Sequence, residues 1–298
     1  MSSINTNASA MNALSTLRGI NKNLESTQSR ISTGLKIQSG KDNAAYFSIS
    51  ESMSSDSSVY KAIDEGLTLT KNSISTARLG AESIASLAET FSERVAFAQG
   101  DAVDREAIQD ELNGLINQMK NTIQQATFNG DDLVNAAQAE NIVLGTSGGV
   151  LALSVGATAV GVVTGITRDS TGGLDTTAMS FNKVDLSSIV ASLSAIDVSD
   201  AALSAGDLQT ALADAKTAFD DATDAATSLG IAEKSIENQQ EFLNNLTDNI
   251  DTGVGAMVDA DMEEEAARLQ ALQVQQQLAT QSLSIANSSP QSILSLFQ

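Results

Sequence analysis

The stretch that decides the fold is DNAAYFSISESMSSDSSVYKAIDEGLTLTKNSISTARLGAESIASLAETFSERVAFA, residues Asp42 to Ala98. Stepping along it by alternating three and four residues lands on Tyr46, Ile49, Met53, Asp56, Tyr60, Ile63, Leu67, Thr70, Ile74, Ala77, Ala81, Ile84, Ala88, Phe91, Val95 and Ala98. Fourteen of these sixteen positions are apolar, and the register never slips. A seven-residue repeat held that long predicts one continuous helix with an apolar seam, supercoiled left-handed against partner helices. At 1.5 Å per residue it would be a rod of roughly 85 Å. The other positions are rich in Ser, Asp, Glu, Lys and Asn, so the rest of the cylinder is mostly wet.

Working outward, residues 4–33 read as a first helix with the seam Ala10, Ala13, Leu17, Ile20, Leu24, Thr27 and Ile31, widened by Met11 and Leu14. Gly34 is its expected stop, and Asp42 is the expected N-cap of the long helix. That helix breaks at Gly100-Asp101. A third runs from near Asp104 to Ala126 with Ile108, Leu112, Leu115, Met119, Thr122 and Ala126 on one face. Helix, break and matched seam predict an antiparallel return.

The pattern then changes. Asn129-Gly130 is a turn signal, and apolar runs at Ile142–Leu144 and Val150–Val155 flank Gly145-Thr-Ser-Gly-Gly149, which reads as a β-hairpin. Val160–Ile166 offers a further strand, and residues 167–182, rich in Ser, Thr and Asp, read as an irregular surface segment. From Ser199 the helical period returns: Leu208, Ala211, Ala215, Ala218, Ala222, Ala225, Leu229, Ala232, Ile236, Gln239, Leu243, Leu246 and Ile250 form a seam that ends in a soft spot at Gly253-Val-Gly255. The last helix, about Asp259 to Asn287, differs from the others. It carries one seam at Leu269, Leu272, Ala279, Leu283 and Ala286, and a second at Ala267, Ala271, Val274, Leu278 and Ile285. A nearly uncharged helix that is apolar on two faces needs several neighbours at once, more than one chain provides. Pro290 precedes a short apolar tail that includes Leu294 and Leu296. Both termini are expected at the same end of the rod.

Composition narrows the chemistry. The chain has 298 residues, 3% aromatics and no Trp, a set that suits thin helix seams better than a bulky core. It has no Cys and no His, which removes disulfides, the common zinc sites and every His-based triad. The net charge of −21 argues against nucleic acid. The ends are relieved of that charge: residues 266–298 carry one Arg, whereas 197–265 hold seventeen acids and two bases. The start lacks a basic region followed by an apolar core, so no cleavable signal is expected, and no stretch is apolar enough to span a bilayer. Gly145-Thr-Ser-Gly-Gly149 lacks the Gly-Lys-Ser/Thr of a phosphate cradle. Asp220-Asp221-Ala-Thr-Asp224 and Glu263-Glu-Glu265 lack calcium-loop spacing and read as solvated helix faces. The Asn-X-Ser/Thr sequons at Asn7, Asn245 and Asn287 lie on helices and read as chance. No catalytic, cofactor or metal residue is expected.

Several motifs then identify a family. Ser29-Arg-Ile-Ser-Thr-Gly-Leu-Lys-Ile-Gln-Ser-Gly-Lys-Asp-Asn-Ala-Ala45 resembles the N-terminal signature of bacterial flagellins, and Thr127-Phe-Asn-Gly-Asp-Asp-Leu133 resembles their turn leading into a hairpin. Val258-Asp-Ala-Asp-Met262, Arg268-Leu-Gln-Ala-Leu-Gln-Val-Gln-Gln-Gln-Leu278 and Ser284-Ile-Ala-Asn with Pro290-Gln-Ser-Ile-Leu-Ser-Leu296 resemble their C-terminal signature. The resemblance covers about 1–145 and 200–298.

It implies a mainly α fold, a long coiled-coil rod of paired N- and C-terminal helices with a small β-hairpin region. Residues 1–41 and 259–298 would form an inner filament core, 42–166 and 197–258 an outer rod, and 167–196 a short variable surface segment. The filament-core positions are then Ala10, Leu17, Ile20, Leu24, Ile31, Leu269, Leu272, Leu278, Leu283, Ile285, Leu294 and Leu296. Rod packing falls to Ile49, Met53, Ile63, Leu67, Ile74, Ile84, Phe91, Leu229, Ile236, Leu243 and Ile250. Ser170, Thr171, Thr176 and Thr177 are candidate O-glycan acceptors.

The implied function is a self-assembling subunit of the extracellular flagellar filament, a propeller for swimming. Its implied partners are copies of itself, the flagellar type III export apparatus with a chaperone, and the filament cap and hook-junction proteins, with neither nucleic acid nor membrane among them. A hook-filament junction protein is the alternative within the family. An enzyme in the middle segment is disfavoured by the absence of His, and a lipid-surface helix by long acidic faces without Lys-rich borders.

Overall fold

A computed structural model of the chain describes residues 7–100, 103–135, 159–168, 173–200 and 203–294, with side chains in the last helix described to 288. Among them are α1 (Ala8–Thr33), α2 (Gly40–Phe97), α3 (Arg105–Gln125), β1 (Ala159–Arg168), β2 (Leu174–Asn182), α4 (Leu186–Ser194), α5 (Ala205–Val258) and α6 (Met262–Leu294). The architecture is mainly α with one small antiparallel sheet. It divides into two compact units, residues 1–57 with 248–298, and residues 58–247.

In the first unit, Asn7 caps α1 by accepting a hydrogen bond from the Ala10 N–H at 3.0 Å. Gly34 ends the helix with φ 74°, a left-handed conformation that suits glycine, and donates to the Arg30 carbonyl at 2.8 Å. The cap of α2 differs from the expectation. Asn43, not Asp42, leaves the helix with an extended φ of −159°, and its side chain accepts from Ala45 and Tyr46. Asp42 closes the preceding turn, accepting from the Gln38 and Ser39 amides at 3.1 Å each. These bonds, with Gln38 the largest influence, hold its carboxyl below the ordinary range.

The link between α5 and α6 is antiparallel to the link between α1 and α2. Lys36 N–H donates to the Val258 carbonyl at 2.6 Å, and Ala260 N–H to Gly34 at 2.8 Å. Helix α5 runs unbroken through Gly253 and Gly255 to Val258, so the expected soft spot is helical. Asp261 caps α6 by accepting from Glu263 and Glu264. Helix α6 continues past Pro290 to Leu294, beyond the expected end at Asn287.

The second unit holds the main core. Leu67, Ile74, Ala81, Ile84, Phe91 and Val95 of α2 meet Leu112 and Met119 of α3 and Ala215, Ala222, Leu229 and Ile236 of α5, all with almost no exposure. Alanines let the backbones approach closely, and Gly80 takes this furthest: a Cβ there would stand 2.5 Å from the Ala126 Cβ. The buried face of α3 is Ile108, Leu112, Ile116, Met119 and Ile123, turned slightly from the expected face, since Leu115 and Thr122 are only half-buried. Helix α5 starts with a capping box in which Ser204 N–H donates to Asp207 at 2.9 Å and Asp207 N–H to the Ser204 hydroxyl at 3.3 Å.

Strand β1 realises the expected strand at Val160–Ile166. Residues 167–182, expected to be irregular, contain β2, and the rest of the segment to 196 holds α4. Strand β2 pairs antiparallel with β1, with a bulge between Val163 and Gly165. The bulge leaves the Thr164 carbonyl free to accept Gln239 of α5 at 2.8 Å, and the Ile166 carbonyl accepts the Tyr60 hydroxyl at 3.2 Å. Gln239 is thus the polar member of the α5 seam because it fastens the sheet. Helix α4 buries Leu186, Ile189, Val190 and Leu193 at i, i+3, i+4 and i+7. The hairpin expected over Ile142–Val155 lies outside the described residues.

Candidate assembly surface

The relevant surface lies on α1 and α6. Three side-chain bonds lay the two helices antiparallel: Asn7 donates to the Ala286 carbonyl at 2.8 Å, Gln276 to Asn21 at 2.8 Å, and Arg30 to Glu265 at 3.1 Å. The α1 seam faces this pairing, with Ala10, Leu17, Ile20, Leu24 and Ile31 half-buried and Thr27 buried. On α6 the first seam is covered: Leu272 is 8% exposed, and Leu269 and Leu283 are half-buried. The second seam is not. Leu278 is 58% exposed and Ile285 70%, with Val274 and Ala271 open beside them. On α1, Met11 and Leu14 are exposed as well.

The twelve positions expected in the filament core therefore separate into two sets. Ala10, Leu17, Ile20, Leu24, Ile31, Leu269, Leu272 and Leu283 lie in the covered seam, whereas Leu278 and Ile285 face outward. Leu294 is the last residue of α6, without a described side chain, and Leu296 lies outside the described residues.

Electrostatics leave the open stripe neutral. Arg268 is the one charge from 266 onward, and it is paired with Glu264 at 2.7 Å. Glu265 departs from the reading of Glu263-Glu-Glu265 as a solvated face. It is buried, its Oε1 bonded to Arg30 and its Oε2 without a partner. The sequence signal for this pair was present but distributed, since the partners stand 235 positions apart.

The rod-packing positions fall in the seams of α2 and α5. Leu67, Ile74, Ile84, Phe91, Leu229, Ile236 and Leu243 are fully buried, and Met53, Ile63 and Ile250 half-buried. Ile49 is 50% exposed. In this stretch α2 buries Ser50 and Ser57, with Phe47 half-buried, and the Ser57 hydroxyl donates to Asp251 of α5 at 2.7 Å, so Ile49 lies off the buried face. Of the candidate O-glycan acceptors, Thr176 and Thr177 are exposed on β2; Ser170 and Thr171 lie outside the described residues.

Comparison with known proteins bears on what this surface is for. Residues 4–139 match the bacterial flagellin N-terminal helical region, and 212–297 the bacterial flagellin C-terminal helical region. The chain is 40% identical to a flagellin of Brucella melitensis biotype 1 and 36% identical to flagellin C of Rhizobium meliloti strain 1021, each over the whole of both chains. It is 32% identical to flagellin FljK of Caulobacter vibrioides, over all of this chain and 99% of that one. With both terminal regions matching flagellin models and 40% identity to a flagellin over the whole of both chains, the chain belongs to the bacterial flagellin family, whose members are structural subunits of the flagellar filament.

Proposed function

We propose that this filament subunit polymerises by burying the open stripe of α6, centred on Leu278 and Ile285, together with Met11 and Leu14 of α1, against other copies of itself. The observation that carries the reading is the unequal fate of the two α6 seams. One is closed by α1; the other, equally apolar and uncharged, stays open. A charged surface would keep a monomer soluble; a neutral apolar stripe favours association. Within this scheme Ala10, Leu17, Ile20, Leu24, Ile31, Leu269, Leu272 and Leu283 hold the pair together, and Leu294 and Leu296 would join the contact with other copies. Residues 1–41 and 259–298 form the inner layer, and the remaining helices the outer one. The exposed Thr176 and Thr177 would accept O-glycans on the outer face.

Family membership supports the finer points: an extracellular filament, export through the flagellar type III apparatus with a chaperone, growth beneath a cap, and attachment through hook-junction proteins. The role is structural rather than catalytic. The compared relatives carry flagellin names, and no observation favours a hook-filament junction protein.

The test is a double substitution, Leu278→Asp with Ile285→Asp. Both side chains are open in the single chain, so its melting should stay at the wild-type value. Burying unpaired charge costs several kcal/mol, so the critical concentration for polymerisation should rise at least about a hundredfold. Filaments forming at the wild-type concentration would remove this stripe from the assembly contact.

A further inference from the structure

The chain contains two Asn-Gly pairs, Asn113-Gly114 and Asn129-Gly130, and the fold treats them oppositely. Asn-Gly is the pair most open to spontaneous rearrangement, because glycine places no Cβ beside its own amide nitrogen. In that reaction the Gly nitrogen attacks the Asn Cγ. The new N–Cγ bond closes a succinimide ring, the Cγ–Nδ2 bond breaks, and ammonia leaves. Water then opens the ring at either carbonyl, leaving aspartate or isoaspartate. No oxidant or other reactant is needed.

Asn113-Gly114 lies inside α3, where helical geometry directs the Gly114 N–H to the carbonyl four residues earlier. Attack requires that bond and the flanking helical dihedrals to be given up. Asn129-Gly130 forms the tip of a two-residue turn. Asn129 is the one non-glycine residue with positive φ among the described residues, at 52°, and Gly130 follows at 86°. The turn rests on two backbone bonds, Asp131 N–H to the Phe128 carbonyl at 2.9 Å and Phe128 N–H to the Asp131 carbonyl at 3.3 Å. Neither engages the Gly130 amide. Both tip residues are exposed, so the attacking nitrogen and the Asn carboxamide meet water with little structure to open.

We infer that Asn129 is a site of spontaneous deamidation in the folded protein, selected by the fold over Asn113. Isoaspartate would do more there than add a charge. It routes the main chain through the side-chain carbon and lengthens a two-residue turn by one methylene, so the two turn bonds cannot both re-form. Immediately downstream, Leu133 and Val134 are buried, and their carbonyls accept the Val184 and Leu186 amides at 3.0 and 2.9 Å at the start of α4. Loss of the turn frees that anchor.

The experiment ages the full chain in mildly alkaline buffer, native and in urea, and follows both sites by peptide mass spectrometry with isoaspartate detection. In the native chain Asn129 should convert at least about tenfold faster than Asn113, because opening a turn costs less than opening a helix interior. In urea the two rates should converge. Equal native rates, a faster Asn113, or no native conversion at Asn129 while the urea sample reacts would each overturn the assignment. A second arm ages Asn129→Gly, which keeps the left-handed turn and cannot deamidate. Its amides at 184–186 should keep their hydrogen-exchange protection while aged wild type loses it. Retained protection in isoaspartate-bearing wild type would overturn the proposed effect on α4.

Discussion

The helices of unit 58–247 and the terminal pair α1 and α6 are built from the same alphabet of Ala, Leu and Ile seams, yet they bury them to different depths. In the larger unit, segments of α2, α3 and α5 surround one another, and the seam residues Leu67, Ile74, Ile84, Phe91 and Val95 of α2 and Leu208, Ala215, Leu229, Ile236 and Leu243 of α5 fall to almost no exposure. In the terminal pair the seam residues are mostly half-buried, and among its described side chains Leu272 is the one buried apolar residue. Two helices can close only one stripe apiece, whereas three enclose a core. Ordering a backbone costs roughly 1–2 kcal/mol per residue, so a pair with one closed stripe is marginal where a three-helix core is not. Under the proposed function, the larger unit would be complete as a single chain and the terminal pair would be completed by other copies.

The largest expected effect sets one region against the other. Phe91→Ala removes a fully buried ring from the larger unit and should cost about 3–5 kcal/mol, seen as an earlier denaturant midpoint. Leu272→Ala in the terminal pair should leave that midpoint unmoved while weakening polymerisation. If both substitutions shifted the same transition equally, the two regions would be one cooperative body.

The smallest effect concerns charge in the larger unit. Glu237 lies 2.9 Å from Lys71 and 3.0 Å from Lys234, and these contacts, Lys71 first, hold its pKa at about 2. A carboxylate lowered on folding contributes stability that is fully present above its unfolded value and is lost as pH falls through the folded one. The loss should therefore fall between an ordinary value of 4.5 and about 2. Lys71→Met should raise the Glu237 titration toward its ordinary value in carboxyl NMR, with little change in melting, because the pair is accessible to water. An unchanged titration would show that Lys71 does not set it.

Much of this was legible from residue spacing. Seams of α1, α2 and α5 hold their period over many turns, and each added turn makes the helical reading harder to replace. The two-sided character of α6 was legible for the same reason. What escaped was short or contextual. Helix α4 shows Leu186, Ile189, Val190 and Leu193 in helical spacing, but nine residues are too few to be helical without the core they pack on. Strand β2 is written mostly in Ser, Thr and Asp, with Met179 and Phe181 turned to the core among its described side chains, so its strand character comes from pairing with β1. Ile49 is exposed because this turn of α2 buries Ser50 and half-buries Phe47 instead, a small polar choice that an apolar periodicity passes over.

Hydrogen exchange on monomer and filament follows the closing of the second stripe amide by amide. Amides in 8–33 and 262–286 should be weakly protected in the monomer, beside strong protection around Ile84, Phe91 and Ile236. In the filament those terminal amides should gain protection of at least about a hundredfold, because neighbouring copies close the second stripe. Full protection of both terminal segments in the isolated monomer would contradict it and make assembly a docking of helices already stable by themselves.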